Sequence, residues 1–126
     1  MKPVVGVGID LVDVSEAQRL IDRWGERLLR RVLTDRERAY VLRNASPAKH
    51  LAVRLAAKEA VYKALQVLPG ARGVSWRQIE VERDGEGRPS IRLHGDAARC
   101  AGDAGISLSL THTERTAGAV ALLHQD

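Results

Sequence analysis

With 126 residues the chain suits one domain, 1–126, and its lack of Phe, with two Trp and two Tyr, leaves a modest core to Leu, Val, Ile and small Ala. A lone cysteine, Cys100, excludes an internal disulfide framework, and an N-terminus that meets Asp10 before any long apolar run excludes a signal peptide or membrane span, so a soluble cytoplasmic protein is expected. The net charge of +4 lies in the first half, where residues 1–63 hold 13 basic against 8 acidic side chains while residues 64–126 hold 7 against 8.

Val4 to Asp10 alternates as a strand does, with Val5, Val7 and Ile9 on one face and Gly6, Gly8 and Asp10 on the other. Two glycines beside an acid leave room for a packed helix or a ligand. A capping box beginning at Ser15 and ending at Gln18 predicts a helix with an apolar stripe of Ala17, Leu20, Ile21, Trp24 and Leu28. A second box, Thr34 to Glu37, opens a helix carrying Tyr40 and Val41. Ser46 and Pro47 start a long helix that runs to about Gln66, where Pro69 and Gly70 stop it. Val74 to Arg83 and Ser90 to Leu93 read as strands joined by a turn from Asp84 to Pro89. Gly95 to Ala104 reads as a short helix, and 106–111 and Ala117 to Leu123 as a closing hairpin. The pattern predicts an α+β fold, an antiparallel sheet packed against a long helix.

On the long helix Ala52, Ala56, Glu59 and Lys63 form one stripe. Two small residues followed by an acid and a base suit neither a core stripe nor a solvent face. If this helix covers the glycine face of the first strand, Glu59 and Asp10 point into one gap. Paired carboxylates repel unless a cation lies between them. With no Cys or His cluster beside them they suit Mg²⁺, which uses few carboxylates together with substrate phosphates. Lys63, one turn on, would neutralise a phosphate. At 100° per residue Arg54 lies about 180° round the helix from Lys63, so one chain cannot easily aim both at one spot.

The segments GIDLVDV, LTDRERAY, RLAAKEAVYKAL, VSWRQIEVERDGEGRPSIRLHG and SLSLTHTERTAGAVAL follow one another as in the bacterial holo-acyl-carrier-protein synthases. The chain resembles that family over nearly its whole length, most specifically at RLAAKEAVYKA. The resemblance implies the 4′-phosphopantetheinyl transferase fold in a homotrimer with active sites between subunits. It implies transfer of 4′-phosphopantetheine from coenzyme A to a serine of an acidic acyl carrier protein, with release of 3′,5′-ADP. By position Asp10 and Glu59 match the magnesium ligands, and Lys63 matches the lysine near the pyrophosphate. Arg54, Gly70, Gly73, Ser109, Thr111, His112 and Thr113 match positions near coenzyme A. Arg19, Arg23, Arg27, Arg30 and Arg31 become candidates for docking the carrier, whose binding should weaken as salt rises.

Two positions depart from the family pattern. Glu16 stands where many relatives carry a docking arginine, and Gln66 replaces a glycine at the end of the long helix. Tyr62 also looks bulkier than usual there. Two other readings share some of these features: a magnesium-dependent phosphohydrolase using Asp10 and Glu59, and a non-catalytic carrier- or nucleic-acid-binding protein. The scarcity of aromatic residues for base stacking argues against nucleic acid.

Overall fold

The computed structural model describes residues 2–126. In chain order they form β1 (Val4–Asp13), α1 (Val14–Trp24), α2 (Glu26–Val32), α3 (Asp35–Arg43), α4 (Pro47–Leu65), β2 (Ile79–Arg83), β3 (Pro89–Leu93), α5 (Gly95–Ala101), β4 (Gly105–His112) and β5 (Thr116–His124). β1, β5 and β4 make an antiparallel sheet in that order, and β2 and β3 make a separate hairpin.

α4 is built from strong helix formers, starts with Pro47 at its first position and stops short of Gly70, whose φ is +81°. It packs across β1 and β5 at unusually close range. A Cβ on Gly8 would stand 1.8 Å from the Ala60 carbonyl oxygen, and one on Gly6 would stand 2.3 Å from that of Ala64. The glycine face of β1 therefore receives the helix, as the alternation allowed. The core on both sides of α4 is fine-grained, with 13 of the 25 buried apolar residues being alanine.

The opposite face of β1 is bare. Val7, Ile9 and Leu11 are 62, 67 and 71 % exposed. Val120 and Leu122 of β5 sit beside Ile9 and Val7 in the same sheet.

Three local expectations change. No side-chain cap forms at Ser15, because the helix begins a residue earlier and the Val14 N–H donates to the Arg115 carbonyl across the β4–β5 turn at 2.8 Å. The stripe through Trp24 and Leu28 is split, because Gly25 takes φ +57° and breaks the helix into α1 and α2. The stretch from Val74 to Arg83 is strand only from Ile79, with a 3₁₀ turn over Trp76–Gln78 before it. The Thr34 box forms as read, with Glu37 N–H on the Thr34 hydroxyl at 3.2 Å and Thr34 N–H on the Glu37 carboxylate at 2.9 Å.

Candidate active site

The glycine contacts fix where the site lies. Gly6 faces Ala64 and Gly8 faces Ala60, so the next inward residue of β1, Asp10, falls one helical turn further back along α4. Lys63 reaches it. Its ammonium donates to the Ile9 carbonyl at 3.0 Å and to the Asp10 carboxylate at 3.4 Å. Helix side chains lean toward the N-terminus, which carries Lys63 back over the turn that holds Glu59. Glu59 is half-buried on that turn. Asp10 is mostly covered, whereas Lys63 is 47 % exposed and free to swing. Asp10 and Glu59 offer oxygen only, and among the described residues no cluster of three or more His, Cys, Asp or Glu forms a metal cage. Two carboxylates with an open remainder suit a hard cation completed by water and substrate phosphate.

Arg54 lies elsewhere. It is 7 % exposed, its guanidinium sits 4.5 Å over the Tyr40 ring, and Nη1 donates to the His50 carbonyl at 3.2 Å. Its Nε is buried without a partner. Burial lowers the Arg54 pKa, against the pull of Glu37 and Tyr40. The His50 imidazole is also lowered, first by burial and then by the charges of Arg54, Lys49, Arg83 and His112. Arg54 and His50 thus stand one helical turn apart in the N-terminal half of α4, with Arg83 and His112 near enough to bear on the His50 imidazole. Arg43 packs on the same Tyr40 ring at 5.4 Å. His112 ends β4 in the open, and the Thr113 hydroxyl accepts the Arg115 and Thr116 N–H groups to close the turn. Ser109 and Thr111 line a shallow hollow of about 190 Å³ on the bare sheet face with Ile9, Leu11 and Gly118.

The family model for the 4′-phosphopantetheinyl transferase superfamily matches residues 6–120. The chain belongs to that superfamily. A holo-[acyl-carrier-protein] synthase of Solibacter usitatus is 45 % identical over 114 residues, covering 87 % of this chain and 90 % of the relative. The acyl carrier protein synthase of Mycobacterium tuberculosis superposes with a TM-score of 0.77 at 41 % identity, covering 98 % of this chain and all of the other. A Chronobacterium ammoniagenes synthase solved as a coenzyme A complex gives 0.80 at 32 % identity, covering 96 % and 97 %. The chain is therefore an enzyme of the phosphopantetheinyl transferase class with the α+β fold of these synthases.

Gln66 and Tyr62 act together at the end of α4. Gln66 Nε2 donates to the carbonyls of Tyr62 and Ala71, both at 3.1 Å, and the Tyr62 hydroxyl donates to the Arg72 carbonyl at 2.7 Å. The loop bearing Gly70 and Gly73 is thereby pinned to the helix. Glu16 joins Arg19 and Arg23 along an open depression on α1. Arg19, Arg23, Arg27, Arg30 and Arg31 are all exposed. Arg27 and Arg31 flank a groove of about 380 Å³ whose floor is Trp24, Leu28, Val32 and Trp76.

Sequence reading missed a buried polar cluster beside Glu59. Lys58 is fully buried, and its ammonium donates to Glu37 at 2.8 Å, to the Trp76 carbonyl at 2.8 Å and to the Ile79 carbonyl. The other Glu37 oxygen accepts the Val81 N–H at 2.8 Å. Thr34 donates its hydroxyl to Glu80 at 2.9 Å, and His94 meets the other Glu80 oxygen at 2.8 Å. Burial pushes the Lys58 ammonium down, and the Glu37 charge and hydrogen bond offset only part of that. A signal was present: Leu51, Arg54, Lys58, Val61 and Leu65 follow one helical stripe whose apolar members are core residues.

Proposed function

We propose that the chain transfers 4′-phosphopantetheine from coenzyme A to a serine of an apo-acyl carrier protein, giving holo-carrier and 3′,5′-ADP, with Mg²⁺ required and the whole of 1–126 acting as one catalytic unit in the cytoplasm. The observation that carries this reading is the Lys63 ammonium on Asp10, on the turn of α4 that bears Glu59. Phosphoryl transfer depends mainly on positioning and on stabilising charge. Asp10 and Glu59 would hold the Mg²⁺, which when bound supplies positive charge to the pyrophosphate. Lys63, exposed enough to leave Asp10, would place its ammonium on the departing phosphate. Glu59 would take the serine proton, directly or through a water.

A homotrimer completes the site in this reading. The Arg54, His50 and His112 group lies on the far side of α4 from Lys63 and would serve coenzyme A held by a neighbouring subunit. Ser109, Thr111, Thr113, Gly70 and Gly73 are proposed to line its path. The bare face of Val7, Ile9 and Leu11 supports burial against another copy, since contiguous exposed apolar surface of this kind marks interfaces. The exposed arginines of α1 and α2 would meet the acidic carrier.

The test is intact mass spectrometry of apo-carrier incubated with coenzyme A and Mg²⁺. A phosphopantetheinyl adduct on a fatty-acid or polyketide carrier is expected; none on either class, or phosphate release without carrier, refutes the proposal. Mixing Arg54→Ala with Asp10→Ala chains should restore activity in mixed trimers, and no restoration removes the shared-site model.

A further inference from the structure

The buried Lys58–Glu37 pair has no part in the chemistry above, yet Lys58 precedes Glu59 directly. Successive helical residues are 100° apart, so Lys58 lies about 200° from Ala60 and points away from β1. α4 is thus held on one side by β1, through Ala60 and Ala64 on Gly8 and Gly6, and on the opposite side by Lys58. Glu59 lies between the two.

The β1 side is smooth. Alanine against glycine sets how closely the helix approaches but provides no large side chain to interlock, so it constrains rolling about the helix axis weakly. The Lys58 side is directional. An ammonium has three N–H donors, and here Glu37, the Trp76 carbonyl and the Ile79 carbonyl take one each. Glu37 is itself fixed by the Thr34 and Val81 N–H groups. The anchor ties α4 to the start of α3, to the 3₁₀ turn and to β2. A carboxylate about 6 Å from the helix axis moves roughly 1 Å for each 10° of roll, the scale on which catalytic geometry fails.

We propose that the Lys58–Glu37 pair is a positioning device that sets the roll of α4 and so aims Glu59 at the Asp10 side of the cleft. The inference rests on the assignment of Asp10 and Glu59 as cation ligands. Breaking one half of a buried pair destabilises strongly, whereas neutralising both halves need not. The test variant is therefore Lys58→Met with Glu37→Gln, alongside Glu37→Gln alone, which keeps the Lys58 charge and its two carbonyl acceptors. Mn²⁺ affinity is read by electron paramagnetic resonance without substrate, and kcat and KM for coenzyme A are read separately.

The expected result is a folded double variant with Mn²⁺ affinity and kcat each reduced about tenfold to a hundredfold, as for lost outer-shell partners of metal ligands, and KM for coenzyme A within about twofold. Glu37→Gln should show the same split at smaller size, and Lys58→Arg should recover part of it. Either folded variant with wild-type Mn²⁺ affinity and kcat overturns the proposal, as does a loss confined to KM. If the double variant does not fold, Lys58→Arg, which keeps both charges but not the ammonium geometry, decides by the same Mn²⁺ and kcat readings. If wild-type chain transfers nothing, the functional reading fails, and the Mn²⁺ arm still judges the positioning role.

Discussion

Gly8→Ala is the sharpest single perturbation of the cleft. The added methyl would stand 1.8 Å from the Ala60 carbonyl oxygen and 3.0 Å from the Ala64 nitrogen, inside the helical hydrogen bond that joins them. Ordinary contact begins near 3.4 Å, so strand and helix must separate by about 1.6 Å. Overpacking of this kind costs about 1–3 kcal/mol, and weakening one backbone hydrogen bond adds about 1. The expected destabilisation is therefore roughly 2–4 kcal/mol, read as a shift in the urea midpoint at constant m. Because Asp10 and Lys63 sit on the two elements being pushed apart, residual folded protein should also lose about a hundredfold in kcat. Gly6→Ala, starting from 2.3 Å, should do less. Gly85→Ala, with nothing within 4 Å, should stay within about 0.5 kcal/mol of wild type. A Gly8→Ala chain as stable and as active as the Gly85→Ala control would refute the claim that backbone contact sets the cleft.

Three further outcomes follow from the same structure. The Glu80 carboxyl, which burial alone would raise, is held below its ordinary 4.5 by hydrogen bonds from His94 and Thr34 and by the charges of His94 and Arg36. Its stabilisation is thus complete above about pH 4.5 and is lost as the pH falls through the lower folded value; Glu80→Gln should flatten stability against pH in that window, measured by denaturation from pH 6 downward. Gln66→Ala removes two hydrogen bonds from the loop after α4, and at about 1 kcal/mol each its amides should exchange with solvent deuterium roughly fivefold or more faster. Arg27→Glu with Arg31→Glu should raise KM for the carrier but not for coenzyme A, and the difference should vanish near 1 M salt, where screening acts within about 3 Å.

Local chemistry was legible in the sequence. The alternation of β1 and its two glycines left room for a packed helix or a ligand, and the helix takes it; helical arithmetic put Arg54 and Lys63 on opposite sides of α4 before any coordinates. Thr34 and Glu37 capped α3 as their spacing required, because a capping box needs only four consecutive residues. What depended on distant partners was not legible. Ser15 falls inside α1, because the helix starts at Val14, whose N–H is taken by the distant Arg115 carbonyl. Gly25 sat inside an unbroken apolar rhythm and gave no sign that it would turn to positive φ. Lys58 carries no sign in its local sequence of its acceptors, which come from α3, the 3₁₀ turn and β2.

α4 is packed on most of its circumference, which sets it apart from the helices that carry the arginines. A surface helix keeps one side for water, and its substitutions there are nearly free. α4 has little such side. Ala60 and Ala64 are committed to the backbone of β1, while Leu51, Arg54, Lys58, Val61 and Leu65 are committed to the interior. Lys63 is the one exposed residue of the helix, and its ammonium lies on Asp10. A change at Ala60 or Ala64 therefore bears directly on the spacing of α4 from β1. The arginines of α1 and α2 carry no such constraint, since they project from short helices into solvent. Under the proposed function, charge on those helices can change to suit a different acidic partner while the contacts of α4 with β1 stay fixed.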